Sequence, residues 1–127
     1  MPATGNFILD KGYDASAAIT KFRAVKFTAE ETVAPVTAIG DMVIGIEQFG
    51  VTAAEIAKGK GASVRTQGIS EMEASAAIAV GAEVGITADG RAAAMGAGVR
   101  SIGVCTKGCA NAGERISVML NLPGRVQ

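Results

Sequence analysis

The chain has 127 residues, with 12 lysines and arginines balanced by 12 aspartates and glutamates, and it contains no histidine. That length suits one domain with one hydrophobic core, and a net charge of zero supplies no long-range attraction for nucleic acid or an acidic membrane. The missing histidine excludes Ser-His-Asp and Cys-His nucleophile pairs, an imidazole general base and every histidine-ligated zinc site.

Alanine (24), valine (12) and isoleucine (11) supply most of the apolar half, against 3 leucines and 5 aromatics. β-Branched side chains suit a pleated surface, whereas a helical protein of this size normally carries many leucines on buried stripes. Seventeen glycines and three prolines fit short strands joined by tight turns. No apolar run approaches the about 18 residues of a membrane-spanning helix. The first residues lack the basic start, long apolar middle and cleavage site of a secretory signal, so the chain is expected to stay in the compartment where it is made.

In chain order, residues 1–14 are polar and glycine-marked yet hold Phe7, Ile8, Leu9 and Tyr13 without an amphipathic period. They read as an extended arm, either a frayed terminus or a strand that orders on a partner's sheet edge. A mixed segment from Ser16 turns into alternation over Phe22–Phe27, a predicted strand. Pro35 and Gly40 mark turns. Met42–Phe49 is a continuous apolar run short enough for a buried strand, with Gly45 implying a bulge or a close neighbouring backbone. Thr52 followed by Glu55 forms a capping box for a short helix that ends at Gly59, to be held by packing of Ile56.

Further strands are predicted at Ala62–Gln67, Ile69–Ala74 with a bend at Gly68, Ala82–Thr87, Arg91–Met95, Val99–Thr106 and Arg115–Leu120. The last alternates cleanly, with Ile116, Val118 and Leu120 on one face. Asp89-Gly90 predicts a type I′ hairpin turn, and Asn111–Glu114 a looser one. The expectation is a mainly β fold: a small barrel or sandwich of about six to eight short antiparallel strands with one short helix. Residues 15–122 form the domain and 123–127 a carboxy-terminal tail.

No catalytic, cofactor or metal constellation stands out. Glu71 and Glu73 share a strand face at roughly 7 Å, a spacing imaginable for a glycosidase pair but far more usual for a solvated face. The glycine-rich pieces KGKGA and MGAGVR lack the strand-to-helix context of a phosphate cradle. Lys58, Lys60 and Arg65 read as ordinary surface charge beside Glu55. Cys105 and Cys109 are too few for a tetrahedral site and read as reduced structural thiols, a local disulfide or a reactive thiol being the alternatives. The stretch GISEMEASAAIAVGAEV is similar to biotinyl and lipoyl carrier barrels, but no lysine stands at a hairpin tip to carry the group.

The order of pieces RAVKF, MVIGIEQFG, TAAEIAKGK, TQGIS, GAEVGIT, ADGRA and RISVML, spanning roughly residues 11–120, resembles the small capsid decoration, or cement, proteins of tailed double-stranded DNA bacteriophages. The resemblance implies a structural, non-enzymatic virion protein, made in the host bacterial cytoplasm, that binds the exterior of an expanded head and bridges major capsid subunits. It also implies a homotrimer, with no direct contact to nucleic acid or membrane. Phe7, Ile8 and Leu9, flanked by Lys11 and Tyr13, are the expected capsid contacts, because an apolar extended segment can add to a partner's sheet. The resemblance explains neither the cysteines nor the NLPGRVQ tail. The alternatives are a small ligand- or sugar-binding barrel, such as a head or tail adhesin, which one tyrosine and no tryptophan supply poorly, and a thiol enzyme using Cys105 or Cys109.

Overall fold

The computed structural model describes residues 7–122 and 124–127. Among these the strands are β1 (Phe7–Ala15), β2 (Ala24–Ala29), β3 (Thr32–Pro35), β4 (Gly45–Glu47), β5 (Ala62–Glu73), β6 (Glu83–Ile86), β7 (Ala92–Ala94), β8 (Gly103–Lys107) and β9 (Arg115–Leu120). One helix, α1 (Ala53–Ala57), precedes β5. The fold is mainly β, as its composition leads one to expect, with one short helix and no helix among the described residues long and apolar enough to cross a membrane.

The twelve-residue β5 organises the molecule. Its first half pairs antiparallel with β1 and β4, from Tyr13 opposite Ala62 to Ile46 opposite Arg65. The strand order β1-β3-β2-β4-β5 then returns to β1, so five strands close into a barrel. The β1–β3 pair is parallel and the other barrel pairs are antiparallel. The second half of β5 pairs with β9, from Ile69 opposite Met119 to Glu73 opposite Arg115, and β8, β6 and β7 follow in that order. A parallel bridge from Ala92 to Ala74 curls this second sheet back toward its start. The two halves of β5, expected as separate strands, are one: Gly68 takes φ 101° at the changeover and bends the strand without ending it.

Each half has its own core. Ala15, Ile19, Val25, Val33, Val51, Ala62 and Val64 fill the barrel. Met72, Val84, Ile86, Ile102, Ile116 and Val118 fill the second sheet, joined by Ala24, Val43 and Ile46 from the barrel side. The first two residues of β2 and all of β4 therefore bury both faces, which is why Met42–Phe49 shows no alternation. Gly45 is needed there because a Cβ would collide with the Val64 side chain and come within 2.5 Å of the Arg65 carbonyl oxygen.

Local signals set several elements. The Thr52 hydroxyl accepts from the Glu55 N–H at 3.1 Å and the Glu55 carboxylate accepts from the Thr52 N–H at 2.9 Å, a complete capping box. Ile56 packs partly against the barrel core. The Asp89-Gly90 hairpin exists but is not type I′. Gly90 alone has positive φ (85°), its N–H donates to Thr87 O at 3.0 Å, and the Thr87 N–H donates to Arg91 O at 2.9 Å. That is a type I turn followed by a glycine bulge, and the Gly90 carbonyl is turned to accept the Ala24 N–H at 2.9 Å.

Two strands escape the sequence pattern. β3 follows a turn at Glu30-Glu31, where Glu31 takes φ 52° without glycine or asparagine to announce it. β1 begins at Phe7, in the segment expected as an arm, and runs through the 14/15 boundary into the barrel. Its residues close the gap between β3 and β5, and without them both strands would present open edges. The carboxy-terminal segment is paired too: Ser101 N–H donates to Arg125 O at 2.7 Å and Gly98 N–H to Gln127 O at 2.8 Å.

Candidate functional site

The expected contact residues lie along β1. The backbones of Phe7 and Ile8 belong to the strand, with Phe7 opposite Gly68, while their side chains fall outside the described part of the structure. Leu9 is exposed. Asp10 is held by Arg65 at 2.8 Å, and Lys11 reaches Glu31 at 2.6 Å with its ammonium 4.2 Å from the centre of the Tyr13 ring. The Glu31 hydrogen bond, the largest cause, raises the Lys11 pKa above its ordinary value. Tyr13 meets Phe27 edge to face at 5.3 Å. Tyr13 and Phe27 each stand two residues along from a barrel-core residue, Ala15 and Val25, so they continue the inner faces of their strands and cover that end of the barrel. Lys11 and Tyr13 thus have internal work, and Leu9 is the described apolar β1 side chain free to meet a partner. The sequence hides this because Arg65 and Glu31, which neutralise Asp10 and Lys11, are distant in the chain.

Other exposed apolar side chains lie elsewhere, Met42 and Val80 among them, and three places stand out. Phe49, just after β4, is 71% exposed, the highest of the large apolar side chains among the described residues. On the outer face of the second sheet, Ile69, Met119 and Val104 stand in one row across β5, β9 and β8, with Met119 and Val104 both exposed. Near the carboxy terminus, Ile39 and Val126 flank Arg100: the Arg100 N–H donates to Ile39 O at 2.7 Å and Arg100 bridges to Val126. Alternation signals such a row only once strand neighbours are known, so sequence reasoning missed all three.

The remaining chemistry is structural. Glu73 accepts from Arg23 at 3.2 Å, and Arg23 also approaches Asp89 at 3.7 Å, so Glu71 and Glu73 do not act as a pair. Lys60 pairs with Glu55 at 2.8 Å and Arg65 with Asp10, which disperses the Lys58–Lys60–Arg65 group. Both cysteines are free; burial raises the pKa of Cys105, and half-buried Cys109 donates to Ala76 O at 3.5 Å. The barrel interior is packed with side chains, and a hollow of about 440 Å³ lined by Ile19, Phe49, Val51 and Glu55 lies open at the surface. No group of three or more cysteine, aspartate or glutamate residues among those described is placed to hold a metal ion.

Glu47 stands apart. It is fully buried opposite Val64; one carboxylate oxygen accepts from the Ser63 N–H at 3.1 Å and the Phe49 N–H at 3.2 Å, while the other has no hydrogen-bond partner among the described residues. Its bonds fix the backbone that carries Phe49.

Comparison with known proteins places this geometry. The sequence model of the phage cement protein family matches residues 38–120. Among solved structures the fold is similar to the head fiber gp8.5 N base in bacteriophage phi29, with a TM-score of 0.66 and 13% identity over 94% of this chain and 98% of that one. No curated protein sequence matches the chain.

Proposed function

The chain belongs to the phage cement protein family and is a capsid-associated structural protein, and from that premise we propose that it binds the outside of an expanded phage head and bridges neighbouring major capsid subunits. The observation that carries this reading is the placing of exposed apolar side chains at separate points of one rigid double-cored fold: Leu9 on β1, Phe49 beyond β4, the Ile69–Met119–Val104 row, and Ile39 with Val126. A bridge needs separate contacts for separate neighbours. Full burial of one large apolar side chain contributes about 1.5–3 kcal/mol, and contacts joined in one molecule reinforce one another through effective concentration.

A protein that binds the assembled shell and not its free subunits stabilises the shell by linkage, by about 4 kcal/mol at a thousandfold excess over the dissociation constant. A homotrimer multiplies the contacts, and self-association into trimers is part of the proposal. Of the β1 residues, Leu9 is the contact best placed, with Phe7 and Ile8 beside it along the strand and Lys11 and Tyr13 holding the barrel end behind it. The protein, made in the host cytoplasm, would act as a virion component on the head exterior without nucleic acid, membrane, cofactor or catalytic group.

Calorimetry of undecorated expanded heads with and without the purified protein tests the reading. Saturable binding with a raised head-melting temperature is expected; unchanged melting at concentrations where the protein is folded contradicts it. Removal of residues 1–14 is a poor test, because it deletes most of a barrel strand, whereas Leu9→Glu changes an exposed side chain.

A further inference from the structure

The protein is neutral overall, yet its cations are not evenly compensated. Phe22 has φ 61°, a left-handed backbone that is a genuine outlier for a bulky side chain and persists only where its surroundings enforce it. The surroundings are visible: its N–H donates to Glu47 O at 2.7 Å, its carbonyl accepts from the Glu73 N–H at 3.2 Å, and its ring is buried. Over that ring lie two cations, Lys21 with Nζ 4.8 Å and Arg115 with Cζ 4.6 Å from the centroid. Both residues are exposed, and neither makes an ion pair with a carboxylate among the described residues.

Beside them, Arg23 shares Glu73 and Asp89, and Arg91 shares the same Asp89 at 3.1 Å. Arg23 and Arg91 thus share Glu73 and Asp89, with Glu71 two residues along the same face of β5, while Lys21 and Arg115 are left without an ion pair among the described residues. The Lys21 backbone also lies against the turn that carries Phe49: a Cβ on Gly50 would lie 3.1 Å from the Lys21 backbone nitrogen. Phe49, the most exposed aromatic residue among those described, therefore adjoins a turn that meets Lys21, one of two cations on this face without an ion pair there.

Building on the capsid-binding reading, we propose that this face docks an acidic surface of the major capsid subunit, whose carboxylates pair with Lys21 and Arg115 while Phe49 enters an apolar recess beside them. Phe22 acts as the platform that holds both cations forward, and its enforced backbone fixes their positions before binding, so little side-chain ordering is left for the encounter. Charge complementarity of this kind sets partner choice and register, and an aromatic side chain at the centre of a cationic rim is the composition of an interaction hot spot.

The experiment measures binding to undecorated expanded heads at low and high salt for the unmodified protein, the Lys21→Glu/Arg115→Glu double variant, Phe49→Ser, and Lys107→Glu as a control exposed on β8. Circular dichroism establishes that each is folded. The double variant and Phe49→Ser are each expected to bind about thirtyfold more weakly or worse, the control to bind normally, and salt to weaken the unmodified protein far more than the double variant. A folded double variant that binds as tightly as the control overturns the inference and leaves the capsid-binding reading standing; an unmodified protein that does not bind heads removes both. Equal retention of the unmodified protein on bare DNA, lost in the double variant, would instead assign the cations to nucleic acid.

Discussion

Two substitutions on β5 test whether the barrel and the second sheet are one cooperative unit. Val64 and Met72 are both fully buried, Val64 in the barrel core and Met72 in the core of the second sheet. Met72→Ala removes three heavy atoms from a packed site and is expected to cost about 3 kcal/mol, within the ~2–5 kcal/mol range of such truncations. Val64→Ala removes two methyl groups and is expected to cost about 2 kcal/mol, from roughly 0.8 kcal/mol per buried carbon plus the cavity left behind. For a domain of this size each kcal/mol lowers the melting temperature by about 3–5 °C, so the shifts are near ~10 °C and ~7 °C. Because one continuous strand serves both cores, heating followed by far-ultraviolet circular dichroism should show a single transition that either substitution moves as a whole. Two resolved transitions, each responding to one substitution, would refute the shared-strand account.

Other expected outcomes follow from single residues. Gly103 has φ 152° and a Cβ there would collide with the Met119 carbonyl oxygen and lie 2.9 Å from its carbon, so Gly103→Ala should separate β8 from β9 and lower stability by about 3 kcal/mol or more, read by urea unfolding; a change below about 1 kcal/mol would contradict the close approach. Asp41, bonded first by the Thr37 N–H and then Lys26, Asp89 by the Thr87 hydroxyl and then Arg91, and Glu55 by Lys60 and then the Thr52 N–H all have lowered pKa values. Their contribution is complete above the ordinary values of 3.8 and 4.5 and is lost as pH falls through the lowered ones. Stability should be level from neutral pH down to that range and drop below it, and a rise on acidification would reverse the sign. With iodoacetamide at neutral pH, Cys109 should label before Cys105, whose buried thiol has a raised pKa; rapid labelling of Cys105 in folded protein would contradict its burial.

The parts of the fold that the sequence revealed are those fixed by neighbours in the chain. The Thr52/Glu55 capping box, the alternation of β9 and the close approach at Gly45 all appear as read. What stayed hidden depends on contacts distant in sequence. β1 looks like a polar arm until Arg65 and Glu31 are placed against Asp10 and Lys11, and β3 looks like a turn because Glu31 adopts a left-handed backbone without glycine. The hairpin at Asp89 was legible as a turn, but its type depended on Gly90 facing Ala24 across the fold. The candidate site was less legible still. Phe49 ends an apolar run that otherwise reads as core, the Ile69–Met119–Val104 row belongs to strands that do, and only the pairing of β5 with β9 and of β9 with β8 shows which members of the row face out.

The claim on which the functional account rests is that this protein acts by touching more than one capsid subunit from outside. An electron cryomicroscopy map of decorated expanded heads tests it most directly. The account requires density for each copy on the outer surface, in contact with at least two major capsid subunits, with the Phe49 face against one of them. Density inside the shell, or copies that each touch a single subunit, would contradict it.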